Sequence, residues 1–76
     1  MDEGFILANK FRRVIFDELA SGEVDILDIA KKNHIIPRVA QRILDEFINQ
    51  GIVEKKGNKY VFTEEGNKLV ETLGRY

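Results

Sequence analysis

Between residues 5 and 20 the apolar positions Leu7, Phe11, Val14, Ile15 and Leu19 recur three and four apart, with no glycine or proline among them. That spacing is the period of one amphipathic helix with a single inward stripe. Phe5, Ile6 and Phe16 fall off the stripe. They either pad the edge of the core or form a second apolar face for a partner subunit. Ser21-Gly22 stops the helix, because glycine takes the left-handed conformation at a helix end without steric penalty. Glu23-Val24 reads as a short extended link. Asp25 is then a good N-cap, and Asp28 adds a second carboxylate to the first turn. Ile26, Ile29 and Ala30 line one side of a short helix ending near Asn33. Lys31 and Lys32 fall in its last turn, where cations suit the helix dipole.

Asn33-His34-Ile35-Ile36 predicts a tight turn, and Pro37 fits the first position of the next helix, where a missing N–H costs nothing. That helix runs over residues 37–50, with Ala40, Ile43, Leu44 and Phe47 facing inward and Gly51 ending it. Residues 52–56 and 59–63 flank Gly57-Asn58, a two-residue hairpin signal, because both residues accept positive φ. A two-residue loop sets Val53 opposite Phe62 and Lys55 opposite Tyr60. Thr63 is a credible N-cap for a last helix, with Glu64 and Glu65 in its first turn, Leu69, Val70 and Leu73 on its apolar side and Gly74 at its end. The order is helix, short strand, helix, tight turn, helix, hairpin, helix. One α+β domain accounts for residues 1–76, without repeat, linker or low-complexity tract.

Composition narrows the class. At 43% apolar and 33% charged residues, the chain is balanced like a globular domain. It lacks cysteine, so no disulfide or thiolate site supplements the core. The longest apolar run, Phe5-Ile6-Leu7-Ala8, is far too short to span a bilayer, and the opening Met1-Asp2-Glu3 is acidic, the reverse of a secretory signal. A soluble, cytoplasmic protein is the expectation. The net charge of −1 hides a segregation: residues 31–59 carry seven basic and three acidic side chains, a balance of +4, which leaves −5 elsewhere.

These stretches resemble a known group. Ile29-Ala30-Lys31-Lys32 through Gln50-Gly51-Ile52-Val53-Glu54 is similar to the helix-turn-helix of winged-helix regulators. Lys59-Tyr60-Val61-Phe62-Thr63-Glu64-Glu65-Gly66 is similar to their second wing strand and following helix. Leu7-Ala8-Asn9 with Arg12 and Ile15, then Gly22-Glu23-Val24, resembles the opening of the ArsR type, and the wing-to-helix junction equally resembles the MarR type. Three positions depart from the pattern. Ile36 stands where a Ser or Thr usually caps the recognition helix, His34 where the turn usually has Gly, and Asn33 where a Leu is usually buried. The resemblance implies a winged helix-turn-helix whose helix over residues 37–50 enters the major groove of double-stranded DNA.

The side chains can be weighed against that implication. Arg38, Gln41, Arg42 and Asp45 project away from the apolar stripe, with Asn49 one turn further on. Arg pairs bidentately with guanine and Gln with adenine, so these types suit base reading; they are also ordinary residues of a solvated helix. The wing tip Lys55-Lys56-Gly57-Asn58-Lys59 suits the DNA backbone or minor groove, though lysines equally protect an exposed strand edge. Lys31 and Lys32 join the wing as backbone candidates; Lys10, Arg12 and Arg13 are weaker ones.

Other chemistry finds little support. His34 is the only histidine and Ser21 the only serine, so a Ser/His/Asp arrangement has no basis. Asp25 and Asp28 share a helix start with no His or Cys near them, and the ArsR-type metal-sensing cysteines are absent from Val24-Asp25-Ile26-Leu27-Asp28. No phosphate-binding glycine loop exists. The expectation is a non-enzymatic protein without metal or cofactor. Three readings remain. The first is a DNA-binding transcriptional regulator, paired as a homodimer through Phe5, Ile6, Phe16, Val70 and Leu73. The second is a winged-helix module for protein–protein assembly, favoured by the −5 charge outside the basic segment. The third is single-strand or RNA binding, which needs exposed stacking aromatics and has only Tyr60 and Tyr76 to offer.

Overall fold

The apolar stretch at the start of the chain forms two helices instead of one. In the computed structural model, which describes residues 3–74, α1 spans Glu3–Leu7 and α2 spans Lys10–Ala20. Asn9 separates them in an extended conformation, its Oδ1 accepting from the N–H groups of Phe11 at 2.8 Å and Arg12 at 3.1 Å. An Asn side chain offers the backbone this alternative to continuing a helix, which is why it favours N-caps. The break changes the inward face. Ile6 and Phe16, expected off the stripe, are buried in the core, whereas Leu7 and Phe11, expected on it, are 46% and 43% exposed. Phe16 turns inward because it lies between Phe47, ring centroids 6.4 Å apart, and Phe62, 5.3 Å apart. Aromatic pairs at such separations add to the burial itself.

Gly22 ends α2 at φ +100°. The following link is extended but unpaired, and no strand forms there among the described residues. The Glu23 carboxylate instead accepts from the N–H of Val24 at 3.0 Å and of Asp25 at 3.1 Å, donors that a strand would have offered to a neighbour. Asp25 then caps α3, Ile26–Lys32, by accepting from Leu27 N–H at 2.9 Å.

The tight turn is a Schellman closure. His34 sits in the left-handed region at φ +55°, its N–H donating to Lys31 O at 3.4 Å while Ile35 N–H donates to Ala30 O at 2.9 Å. The same pairing closes α2 at Gly22 and α4 at Gly51, where Gly51 N–H donates to Ile48 O and Ile52 N–H to Phe47 O. Three helix ends therefore share one device, and only the middle one carries a side chain at the left-handed position. Asn33, half-buried, uses its Nδ2 to reach Ile29 O at 2.9 Å and Glu18 Oε2 at 2.8 Å. It joins the turn to α2 by a hydrogen bond where an apolar residue would have packed.

Pro37 opens α4, Pro37–Asn49, whose residues Ala40, Ile43, Leu44 and Phe47 are buried as the spacing requires. Strands β1, Val53–Lys56, and β2, Lys59–Phe62, pair antiparallel with Val53 opposite Phe62 and Lys55 opposite Tyr60. Gly57 has φ +63° and Asn58 does not have positive φ, the pattern of a type II′ hairpin turn.

Thr63 anchors the hairpin to α5, Glu64–Leu73. Its Oγ1 accepts from Gly66 N–H at 3.1 Å and donates toward the carbonyls of Gly51 and Ile52. A Cβ on Gly66 would lie only 2.0 Å from Ile52 O, so the helix seats there only because the residue has no side chain. Leu69 and Leu73 of α5 complete a core that also holds Ile15, Ile29, Ile52 and Val53. Thus Ile6, Phe16 and Leu73 belong to the chain's own core and are unavailable to a partner face; Phe5 and Val70 are half-buried against that core.

Candidate nucleic-acid interface

The outward face of α4 is built by the same spacing that buries its inner one. Arg38, Arg42, Asp45 and Asn49 are exposed on the side opposite Ala40, Ile43, Leu44 and Phe47. Among the described residues neither Arg38 nor Arg42 has a hydrogen-bond or ion-pair partner, so both guanidinium forks are open to a ligand. Gln41 is different. It is half-buried at the edge of this face, and its Nε2 donates to Asp45 Oδ1 at 3.1 Å and to the Tyr60 hydroxyl at 3.2 Å.

Through Tyr60 the edge of this α4 face connects to the hairpin. Tyr60 is 5% exposed, with the Lys55 ammonium over its ring, 5.8 Å from the centroid. Burial removes Tyr60 as a stacking platform for a single strand, and Tyr76 lies outside the described residues. A cleft of about 390 Å³ is lined by Asp25, Ile26 and Leu27 at the start of α3, by Gln41 of α4, and by Lys55, Asn58 and Tyr60 of the hairpin.

The tip concentrates positive charge. Lys56 faces Lys59 directly across the strand pair, an arrangement that disfavours the hairpin unless an anion is shared. Lys56 is partly compensated by Glu54 at 3.3 Å. Lys55, Lys56, Asn58 and Lys59 are all exposed.

The other basic residues are mostly committed to the fold. Arg12 donates to Glu46 at 3.2 Å and to Phe5 O at 3.1 Å, and its guanidinium covers the Phe5 ring at 4.1 Å. This clamp holds α1, α2 and α4 together. Arg13 pairs with Asp17 at 3.1 Å. Lys32 pairs with Glu18 at 3.2 Å, while Lys31 stays exposed. Hydrogen bonding from Asn33 first, and from Lys32 second, holds the Glu18 carboxyl below the usual glutamate range. Neither the Gln41–Tyr60 contact nor the Glu18 bridge has a sequence signal, because each joins elements far apart in the chain.

Residues 12–76 match a family model described as winged helix-turn-helix. The chain belongs to the winged helix-turn-helix family. The match is to the family as a whole and does not separate the ArsR and MarR types. No curated protein and no solved structure matches the chain. The winged helix-turn-helix is a DNA-binding fold, typically non-enzymatic, and membership points to DNA as a partner. Among the described residues no helix is long and apolar enough to cross a membrane. The two-stranded β1–β2 hairpin is the wing of this fold.

Proposed function

We propose that the chain, as one domain over residues 1–76, binds double-stranded DNA as a small cytoplasmic transcriptional regulator. Arg38, Gln41, Arg42 and Asp45 read bases in the major groove, and Lys55, Lys56, Asn58 and Lys59 hold the backbone or minor groove. The observation that carries this reading is the pair of unpartnered guanidinium groups on the outward face of α4. Every other arginine among the described residues is engaged within the fold. Asp45 fits the face as an acceptor for a cytosine amino group, steadied by Gln41.

Lys31 belongs with the backbone contacts, and Lys32 does so only to the extent that it leaves Glu18. Pairing of two copies on a two-fold symmetric site is part of the proposal, since helix-turn-helix domains commonly reach successive major-groove segments this way. With Ile6, Phe16 and Leu73 in the core, that pairing must use other surface.

The test is selection from a random duplex pool, followed by alanine substitution. Arg38→Ala and Arg42→Ala should each lose about 1–3 kcal/mol of discrimination at one base position, whereas Lys55→Ala and Lys56→Ala should weaken all sequences evenly. Equal effects from all four would contradict this division of roles.

A further inference from the structure

We propose that Ile36 reads the C5-methyl group of thymine at the start of the recognition helix. The inference rests on the DNA-binding reading above and adds to it an apolar, sequence-selecting contact.

Ile36 is the N-cap of α4, yet its side chain makes no cap hydrogen bond and is 62% exposed. It is not among the partly buried apolar residues that pack against the core. Its backbone, φ −60° and ψ 127°, is an ordinary extended conformation that suits Ser or Thr equally well. A hydroxyl there would satisfy one of the free N–H groups of the first turn and would remove an apolar side chain from water. The core therefore gains little from isoleucine at this position.

Place and chemistry agree on what would. Recognition helices touch base edges with their N-terminal residues, and Ile36 is followed by Pro37, which fixes the helix start, and by the open Arg38. The major groove presents donors and acceptors at every base pair, and in unmodified DNA its one apolar mark is the thymine methyl. A branched aliphatic side chain next to an arginine can recognise that methyl and cannot recognise a phosphate.

The experiment uses two duplexes of identical alternating A–T sequence, one with every thymine replaced by deoxyuridine. In that sequence any docking register offers methyl groups. Binding of the wild-type chain and of Ile36→Ser is measured by fluorescence anisotropy at low salt. The wild type should bind the thymine duplex about three- to fivefold more tightly per methyl covered. Ile36→Ser, which supplies a better cap and keeps the fold, should bind both duplexes with one affinity. Equal affinities for the wild type, or a preference retained by Ile36→Ser, would overturn the inference while leaving DNA binding intact. Failure of the wild type to bind either duplex would overturn the DNA reading and the inference together.

Discussion

The Gln41 amide donates to the Tyr60 hydroxyl at 3.2 Å, and this contact ties α4 to the wing. It couples α4 to the hairpin, because Tyr60 is buried and also carries Lys55 on its ring. Tyr60→Phe removes only the hydroxyl. It should destabilise the domain by about 1 kcal/mol and speed amide exchange in β1 and β2. Exchange rates in the hairpin equal to those of the wild type would show that the wing is held without Gln41.

Gly66 is where α5 meets the backbone of Ile52. With a Cβ placed 2.0 Å from Ile52 O, Gly66→Ala must displace α5 or the hairpin. The expected loss is roughly 3 kcal/mol, at the upper end of overpacking effects, since the obstacle is backbone. Denaturant unfolding measures it; a variant as stable as the wild type would mean the helix seats elsewhere.

The turn between α3 and α4 holds His34 at φ +55°. His34→Gly should stabilise by about 1 kcal/mol, less the added freedom of the unfolded chain, and His34→Val should destabilise. The order Gly, His, Val in thermal unfolding is the expected result. A glycine variant less stable than the wild type would show that relief of the backbone strain is smaller than the entropy cost of the freer unfolded chain.

Glu18 links stability to pH. Its carboxyl is held below the ordinary glutamate value, chiefly by Asn33 and then by Lys32. A depressed folded pKa means that the charged form stabilises the fold fully above the ordinary value, and that this contribution disappears as pH falls through the folded one. Glu18→Gln, which keeps an acceptor for Asn33 but loses the charge, should be less stable at neutral pH. The gap to the wild type should close as acid is added below the ordinary glutamate range. A gap that stays constant through that range would rule out the linkage.

Much of this architecture is legible in local chemistry. Asp25, Thr63, Pro37, Gly51 and Gly57 act over a few residues, and the structure uses each as its type suggests, whereas Asn58 shares the turn without taking the positive φ its type allows. The hairpin register follows from the two-residue turn alone. Where local chemistry competes with a longer pattern, the pattern misleads. The spacing of Leu7 and Phe11 outlines one helix, but Asn9 caps a new one, and burial moves to Ile6 and Phe16. Glu23 consumes the N–H groups that would have made a strand. For the candidate interface, helical spacing suffices to put Arg38 and Arg42 outward. It is silent on Gln41 meeting Tyr60, on Arg12 meeting Glu46, and on the exposure of Ile36, all of which depend on how separate elements pack.

DNA binding is read from the affinity of the chain for a random-sequence duplex across a salt series. Binding should be measurable at low salt and fall steeply as salt rises, with a log–log slope of about −0.9 for each phosphate neutralised. Lys55→Ala or Lys56→Ala should make the slope shallower by about one. Absence of binding even at low salt would rule out DNA as the partner and point to the winged helix as a protein-assembly module.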